Sequence, residues 1–314
     1  MTTSPFVVET AGLTKRFGDR TVVQDVELQV PRGSAFGYLG PNGAGKTTLI
    51  RMLLGLTRAT SGSMRLLGLP VPERRNEALA RVGAIVEEPR FHRYLTGREN
   101  LRIVAAARGP EATSRIDASI ERVGLARRAA DRVGSYSLGM RQRLGIARIL
   151  LADPDLLILD EPMNGLDPAG IEDTRILIRS LVAEGRTVML SSHLLDEVEK
   201  TVDALAIVDQ GRVIVQGSIG ELTRSGPPTL LVASGNARQA GALLARHAAV
   251  EGVSDEDGLL RVRLRGEDSA AREAIADINR RLVEAGIPVY RLEAEHASLE
   301  SRFLEITSRL EEAA

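Results

Sequence analysis

Cysteine is missing altogether from the 314 residues. That removes thiol nucleophiles, disulfides and thiolate-bound metal, and suits a reducing compartment. Net charge is almost absent too: 41 Lys+Arg against 42 Asp+Glu leave −1, so no global basic field advertises a nucleic-acid or anionic-membrane surface. Long apolar runs are also lacking. The longest stretches free of charged side chains, Gly33 to Gly45 and Ser225 to Ala237, reach 13 residues, short of the ~20 mostly apolar residues a spanning helix needs. The start, Met1-Thr2-Thr3-Ser4-Pro5-Phe6, has no basic patch leading into an apolar run, so no secretory leader is read and a cytoplasmic protein is expected. Lysine is scarce: Lys15, Lys46 and Lys200 are the only three, arginine supplying every other basic residue. A lysine kept against that bias points to a chemical need for an ammonium.

What is present organises itself along the chain. The length predicts about two domains. Phe6 to Glu9 and Val26 to Val30 read as strands with one polar face, turned at Gly18-Asp19 into an antiparallel edge. Ala35 to Leu39 is a short uncharged strand leading through glycines into Thr47 to Leu54, apolar at helical spacing. Leu156 to Leu159 and Val188 to Leu190 are continuous apolar runs, as strands covered on both faces require, and the helical pattern Ile171 to Ala183 between them predicts a parallel crossover. Ala204 to Asp209 and Arg212 to Gln216 form a hairpin on Gln210-Gly211. Residues 92–150 read as mostly helical. The proline pair in Ser225-Gly226-Pro227-Pro228 marks a linker. Beyond it, strands Thr229 to Ala233, Leu259 to Arg265 and Ile287 to Leu292 alternate with helices Ala237 to His247 and Ser269 to Ala285, and a last helix spans Leu299 to Leu310. The expected fold is α/β: a core sheet with an antiparallel β subdomain and a helical insert over about 88–150 in domain 1–224, then a small α+β domain over 225–314.

The chemistry begins at Gly40-Pro41-Asn42-Gly43-Ala44-Gly45-Lys46-Thr47, which fits G-x-x-x-x-G-K-[ST] between a predicted strand and a predicted helix, followed by Thr48. Such a P-loop wraps the phosphates of a nucleotide with backbone N–H groups. Lys46 reaches the β/γ oxygens and the Thr47 hydroxyl takes a Mg²⁺ position. The strand ending at Leu159 runs into Asp160-Glu161 at the carboxyl edge of the same sheet. Asp160 is predicted to serve the magnesium shell and Glu161 to act as general base on a water. His193, after the neighbouring apolar strand, can reach the γ-phosphate from that edge. His92, His247 and His296 carry the ordinary reading of satisfied or exposed side chains.

Over roughly Phe6 to Leu222 these residues resemble the nucleotide-binding subunit of ABC transporters. Tyr136-Ser137-Leu138-Gly139-Met140 is similar to the family's Leu-Ser-Gly-Gly-Gln signature: Ser137 and Gly139 match, Leu138 replaces a glycine and Met140 the glutamine. Asn164-Gly165-Leu166-Asp167 looks like the aspartate loop, Phe17 falls where an aromatic ring packs on adenine, and Glu87 stands where the family has a magnesium-touching glutamine. Glu87, Ser137, Gly139, Asp167 and Phe17 are therefore carried over as expected site residues. The Glu87-Glu88-Pro89 wording and the ending Ser298 to Thr307 look like the antibiotic and multidrug exporter branch.

The resemblance implies an ATPase using ATP and Mg²⁺, paired head to tail as a homodimer or heterodimer so that Lys46 and Ser137 of opposite subunits enclose one nucleotide. It implies a separate transmembrane permease, contacted through the insert around Glu87 to Arg108, and a place on the inner face of the cell membrane. No nucleic acid is expected. A soluble mechanical ATPase acting on nucleic acid or the ribosome and a non-hydrolysing nucleotide sensor remain alternatives. A GTP switch would need an Asn-Lys-x-Asp reader, for which no lysine exists.

Overall fold

Two twelve-residue strands, β1 (Phe6–Phe17) and β2 (Arg20–Pro31), pair antiparallel across Gly18-Asp19. The chain continues through β3 (Ala35–Leu39), α1 (Lys46–Leu53), β4 (Ser61–Leu66), β5 (Leu69–Val71), α2 (Arg75–Ala80) and β6 (Val82–Ile85). Helices α3 (Gly97–Arg108), α4 (Pro110–Ser114), α5 (Ile116–Arg122) and α6 (Leu138–Leu150) form the insert. They are followed by β7 (Leu156–Asp160), α7 (Pro168–Ala183), β8 (Thr187–Ser192), α8 (Leu195–Glu199), β9 (Ala204–Asp209), β10 (Arg212–Ser218) and α9 (Ile219–Arg224). This computed structural model describes residues 4–224, 229–265 and 268–295, and the chain separates into Met1–Ile219 and Gly220–Ala314.

The first unit holds two sheets. β2-β1-β4-β5 is antiparallel, whereas β10-β9-β3-β8-β7-β6 is parallel except for the edge strand β10. Every residue of β3, β7 and β8 is buried, which is why these strands read as continuous runs rather than alternating ones, β7 carrying a charged group only at its last residue, Asp160. Helix α1 sets Leu49, Ile50 and Leu53, all fully buried, into the core shared by both sheets. Each such side chain contributes about 1.5–3 kcal/mol of burial.

A junction without side chains locks the phosphate loop to the antiparallel sheet. Gly45, at φ +94°, precedes α1, and a Cβ there would sit 2.5 Å from the Val22 carbonyl oxygen. From the β9–β10 turn, a Cβ on Gly211 would sit 2.4 Å from the same oxygen, while the Gln24 N–H donates to the Gly211 carbonyl at 2.8 Å. Both positions combine a left-handed backbone with contact distances that only glycine allows.

The second unit is a four-stranded antiparallel sheet, β12 (Val250–Glu256), β13 (Leu259–Leu264), β11 (Thr229–Ser234) and β14 (Val289–Glu295) in spatial order, with α10 (Ala237–Leu244) and α11 (Asp268–Glu284). Leu230, Val232, Leu244, Val262, Ile278 and Leu282 form its core. The buried His247 places Nε2 2.9 Å from Asp277 Oδ2, and its Nδ1 accepts from the Ala249 N–H at 3.2 Å.

Several expectations shift. The helix read to His247 stops at Leu244, and β14 starts at Val289 rather than Ile287 because Pro288 has no N–H for the ladder. Helices of the insert begin only at Gly97, where Thr96 and Glu99 close a capping box. The strands β4, β5 and β12 carry too few buried residues to show an alternating pattern. The Ser225–Pro228 linker, His296, the Ser298–Thr307 ending and the Leu299–Leu310 helix lie outside the described residues.

Candidate functional site

The order β3-β8-β7 lines up three carboxyl ends, and with them three loops. In register, Ser191 faces Asp160 and Ser192 faces Leu39, while the Gly40 N–H donates to the Ser192 carbonyl at 3.2 Å. The phosphate loop, the acidic pair and His193 therefore share one edge because of the strand order alone.

Lys46 is 6% exposed, and its three ammonium protons meet three acceptors: the Gly40 carbonyl at 2.7 Å, the Pro41 carbonyl at 3.2 Å and Glu161 Oε1 at 3.2 Å. Glu161 sits just past the strand at φ +48°, a left-handed turn that separates its side chain from that of Asp160. Its second oxygen, Oε2, lies 2.9 Å from His193 Nδ1. Lys46, Glu161 and His193 are thus joined through one carboxylate.

Asp160 is buried and both its oxygens are satisfied. Thr47 Oγ1 donates to Oδ2 at 2.8 Å and Ser191 Oγ to Oδ1 at 2.5 Å, and Ser191 Oγ in turn accepts the Glu161 N–H at 3.0 Å. Thr47 and Asp160 offer the hard oxygen donors that Mg²⁺ takes. Among the described residues no group of three His, Asp or Glu gathers to hold a metal by itself. The donor set suits a cation that brings phosphate oxygens with it.

Beside the loop lies a cleft of about 340 Å³ lined by Phe17, Val22, Asn42, Gly43, Gly45, Lys46, Thr47 and Thr48 among others. Ala44 is buried, and its N–H donates to the Pro41 carbonyl at 3.2 Å. The Phe17 ring is 52% exposed, and the Lys15 ammonium, anchored on the Arg58 carbonyl at 2.8 Å, stands 4.6 Å from its centroid. One ring face is covered by a cation, a favourable contact in itself.

A second cleft, about 410 Å³, is lined by Thr47, Glu87, Glu88, Leu138, Gln142, Asp160 and Glu161 among others. Glu87, at φ +65°, is ion-paired with Arg51 of α1. Ser137 and Gly139 line neither cleft. Ser137 is exposed and caps α6, accepting the Met140 N–H at 3.2 Å. Asp167 likewise caps α7, accepting the Gly170 N–H at 2.9 Å. Burial pushes the Tyr136 phenol above its ordinary pKa, and its hydroxyl donates to the Arg128 carbonyl at 2.6 Å, fixing the turn that carries Ser137.

Sequence reasoning missed Ser191, Arg51 and Arg141. For Ser191 a signal existed: two hydroxyls ending an apolar strand beside the acidic one. The two arginines are lost among 38 alike.

The family model described as "ABC transporter" matches residues 23–164. The bacitracin transport ATP-binding protein BcrA of Bacillus licheniformis is 40% identical over 303 residues, covering 96% of this chain and 97% of that one. Its Enterococcus faecalis counterpart of the same name is 36% identical over 299 residues, covering 95% of both. A solved ATP-binding subunit of an ABC transporter superposes with a TM-score of 0.62 at 30% identity, covering 69% of this chain and 92% of that chain.

Proposed function

Because this chain belongs to the ATP-binding subunits of ABC transporters, we propose that it hydrolyses MgATP to power export of a peptide antibiotic of the bacitracin kind through a separate membrane permease. The observation that carries the reading is the carboxylate of Glu161 held between Lys46 and His193. The phosphate loop from Gly40 to Thr47, with Thr48, binds the triphosphate, and Lys46 exchanges Glu161 Oε1 for phosphate oxygens. Thr47 and Asp160 would hold a magnesium ion, whose charge would offset that of the phosphates. Glu161, oriented by His193, takes a proton from the water that attacks the γ-phosphorus as the bond to the β–γ bridging oxygen breaks and ADP leaves. Phe17 stacks its open ring face on the base.

Ser137 and Gly139 act on the nucleotide of a second subunit, with Asp167 in the adjoining loop, so that ATP joins two copies. Losing the γ-phosphate removes the differential affinity that favours the joined state. Among the described residues no helix is long and apolar enough to cross a membrane. In this reading the stroke passes to the permease at the inner face, through the insert around Glu87 to Arg108.

Two measurements test this. Phosphate release by the purified chain should require Mg²⁺ and vanish without Glu161. Co-expression with a candidate permease should raise the bacitracin concentration a sensitive host tolerates. No Mg²⁺-dependent release refutes the ATPase; unchanged tolerance with release intact refutes the substrate assignment alone.

A further inference from the structure

Helix α6 grips the segment after β6 at three levels. Arg141 Nε pairs with Glu88 Oε1 at 3.1 Å. One turn on, Gly145 leaves room for Pro89, whose ring carbon would lie 2.9 Å from a Cβ placed there. Two turns on, Arg148 donates to the Arg90 carbonyl at 3.3 Å and stands 5.2 Å from the centroid of the Phe91 ring. The residues Glu88 to Phe91 are thus fastened to one face of a single helix.

The same Arg141 guanidinium also turns backward. Its Nη1 donates to the Tyr136 carbonyl at 2.7 Å, immediately before Ser137. A fork with five donors in fixed geometry can hold both partners at once, which a lysine ammonium on a flexible stem does less well. Glu88 is shared between two cavities. It lines the cleft containing Thr47, Asp160 and Glu161, and it lines a groove of about 340 Å³ with Arg90, Phe91, Arg93 and Arg141 on the insert. The pair is half-shielded, with the side chain of Arg141 29% and that of Glu88 57% exposed.

We infer that Arg141 is a positioning residue that ties the groove-side segment Glu88–Phe91 to the turn presenting Ser137, so that a load on the groove shifts Ser137 relative to the phosphate loop. The inference rests on the proposed role of Ser137 toward a second subunit's nucleotide. Arg141 touches no nucleotide in this scheme. It sets the attitude of Ser137, so its loss should impair subunit joining and spare nucleotide binding by the single subunit.

The test uses the full-length chain carrying Glu161→Gln, with MgATP as the probe. Sedimentation measures the ATP-driven dimerisation constant, and displacement of a fluorescent ATP analogue at subunit concentrations too low to dimerise measures binding. Arg141→Met and Glu88→Ala, singly and together, should each weaken dimerisation about tenfold, with the double variant no worse than the worse single one, because both remove one linkage. Nucleotide affinity of the monomer and the melting temperature should stay within error of the parent. Unchanged dimerisation, multiplying effects in the double variant, or an equal loss of monomer affinity would each overturn the inference. A Glu161→Gln parent that stays monomeric at saturating MgATP would instead remove the two-subunit reading, and this inference with it.

Discussion

Replacing Glu161 by glutamine keeps the shape of the site and removes one charge, so its two expected effects have opposite signs. Lys46 and Glu161 lie 3.2 Å apart, with side-chain exposures of 6% and 22%. At an effective dielectric of ~20 the direct attraction at that distance is about 5 kcal/mol. Desolvation of both groups and partial solvent access reduce the net value to about 1–2 kcal/mol. A triphosphate must displace this carboxylate to reach the ammonium and then lie beside it. Glu161→Gln abolishes the competing ion pair and the repulsion together, so MgATP should bind about tenfold more tightly, 1.4 kcal/mol being one decade. Glutamine cannot accept the proton of the attacking water, and turnover should fall by about 10²–10⁴. Equilibrium titration gives the first quantity and phosphate release the second. An affinity equal to or below that of the parent would refute the competition argument. Hydrolysis at the parent rate would remove Glu161 from the chemistry.

Three further outcomes are expected. Lys46→Ala takes away the buried ammonium and should weaken MgATP binding about a hundredfold, the scale of a lost charge-assisted contact of about 1.5–3 kcal/mol; unchanged affinity in the same titration would contradict the phosphate-loop assignment. Ser191→Ala leaves Asp160 Oδ1 without its donor and the Glu161 N–H without its acceptor, so urea unfolding should show a loss of about 1–3 kcal/mol. In the second unit, the hydrogen bond from His247, then that from Arg281, holds the Asp277 carboxyl below its ordinary pKa of 3.8. A depressed carboxyl stabilises above its unfolded pKa and loses that contribution as pH falls through the folded value. Asp277→Asn should therefore flatten the acid limb of the stability curve below about pH 4, read as the unfolding midpoint against pH; an unaltered limb would exclude this pair as its source.

What the sequence revealed followed from the kind of regularity each element carries. Strand β3 from Ala35 to Leu39 was legible to the residue, because all five of its positions are buried and none is charged, and the glycines mark its exit. That the turn from Gly40 to Thr47 and the pair Asp160-Glu161 share one sheet edge was legible because their spacing encodes backbone geometry as well as composition. Strands β4 and β12 were not, since a half-exposed strand such as Ser61–Leu66 owes its place to β1, a partner some fifty residues distant. The arginine contacts were equally hidden. Nothing local distinguishes Arg141, which holds Glu88 and a carbonyl, from the many that face water, because the distinction lies in long-range partners 53 positions apart.

The Val22 carbonyl pinched between Gly45 and Gly211 has a consequence for ligand choice. Backbone pressed on backbone cannot repack as side chains do, so the strand that leads from Phe17 and the loop that leads into α1 behave as the fixed jaws of a caliper. With the base stacked on Phe17 as proposed, the gap between ring and loop would gauge a ligand end to end, and a nucleotide with a shortened phosphate tail or a missing base is expected to close on one jaw but not on both.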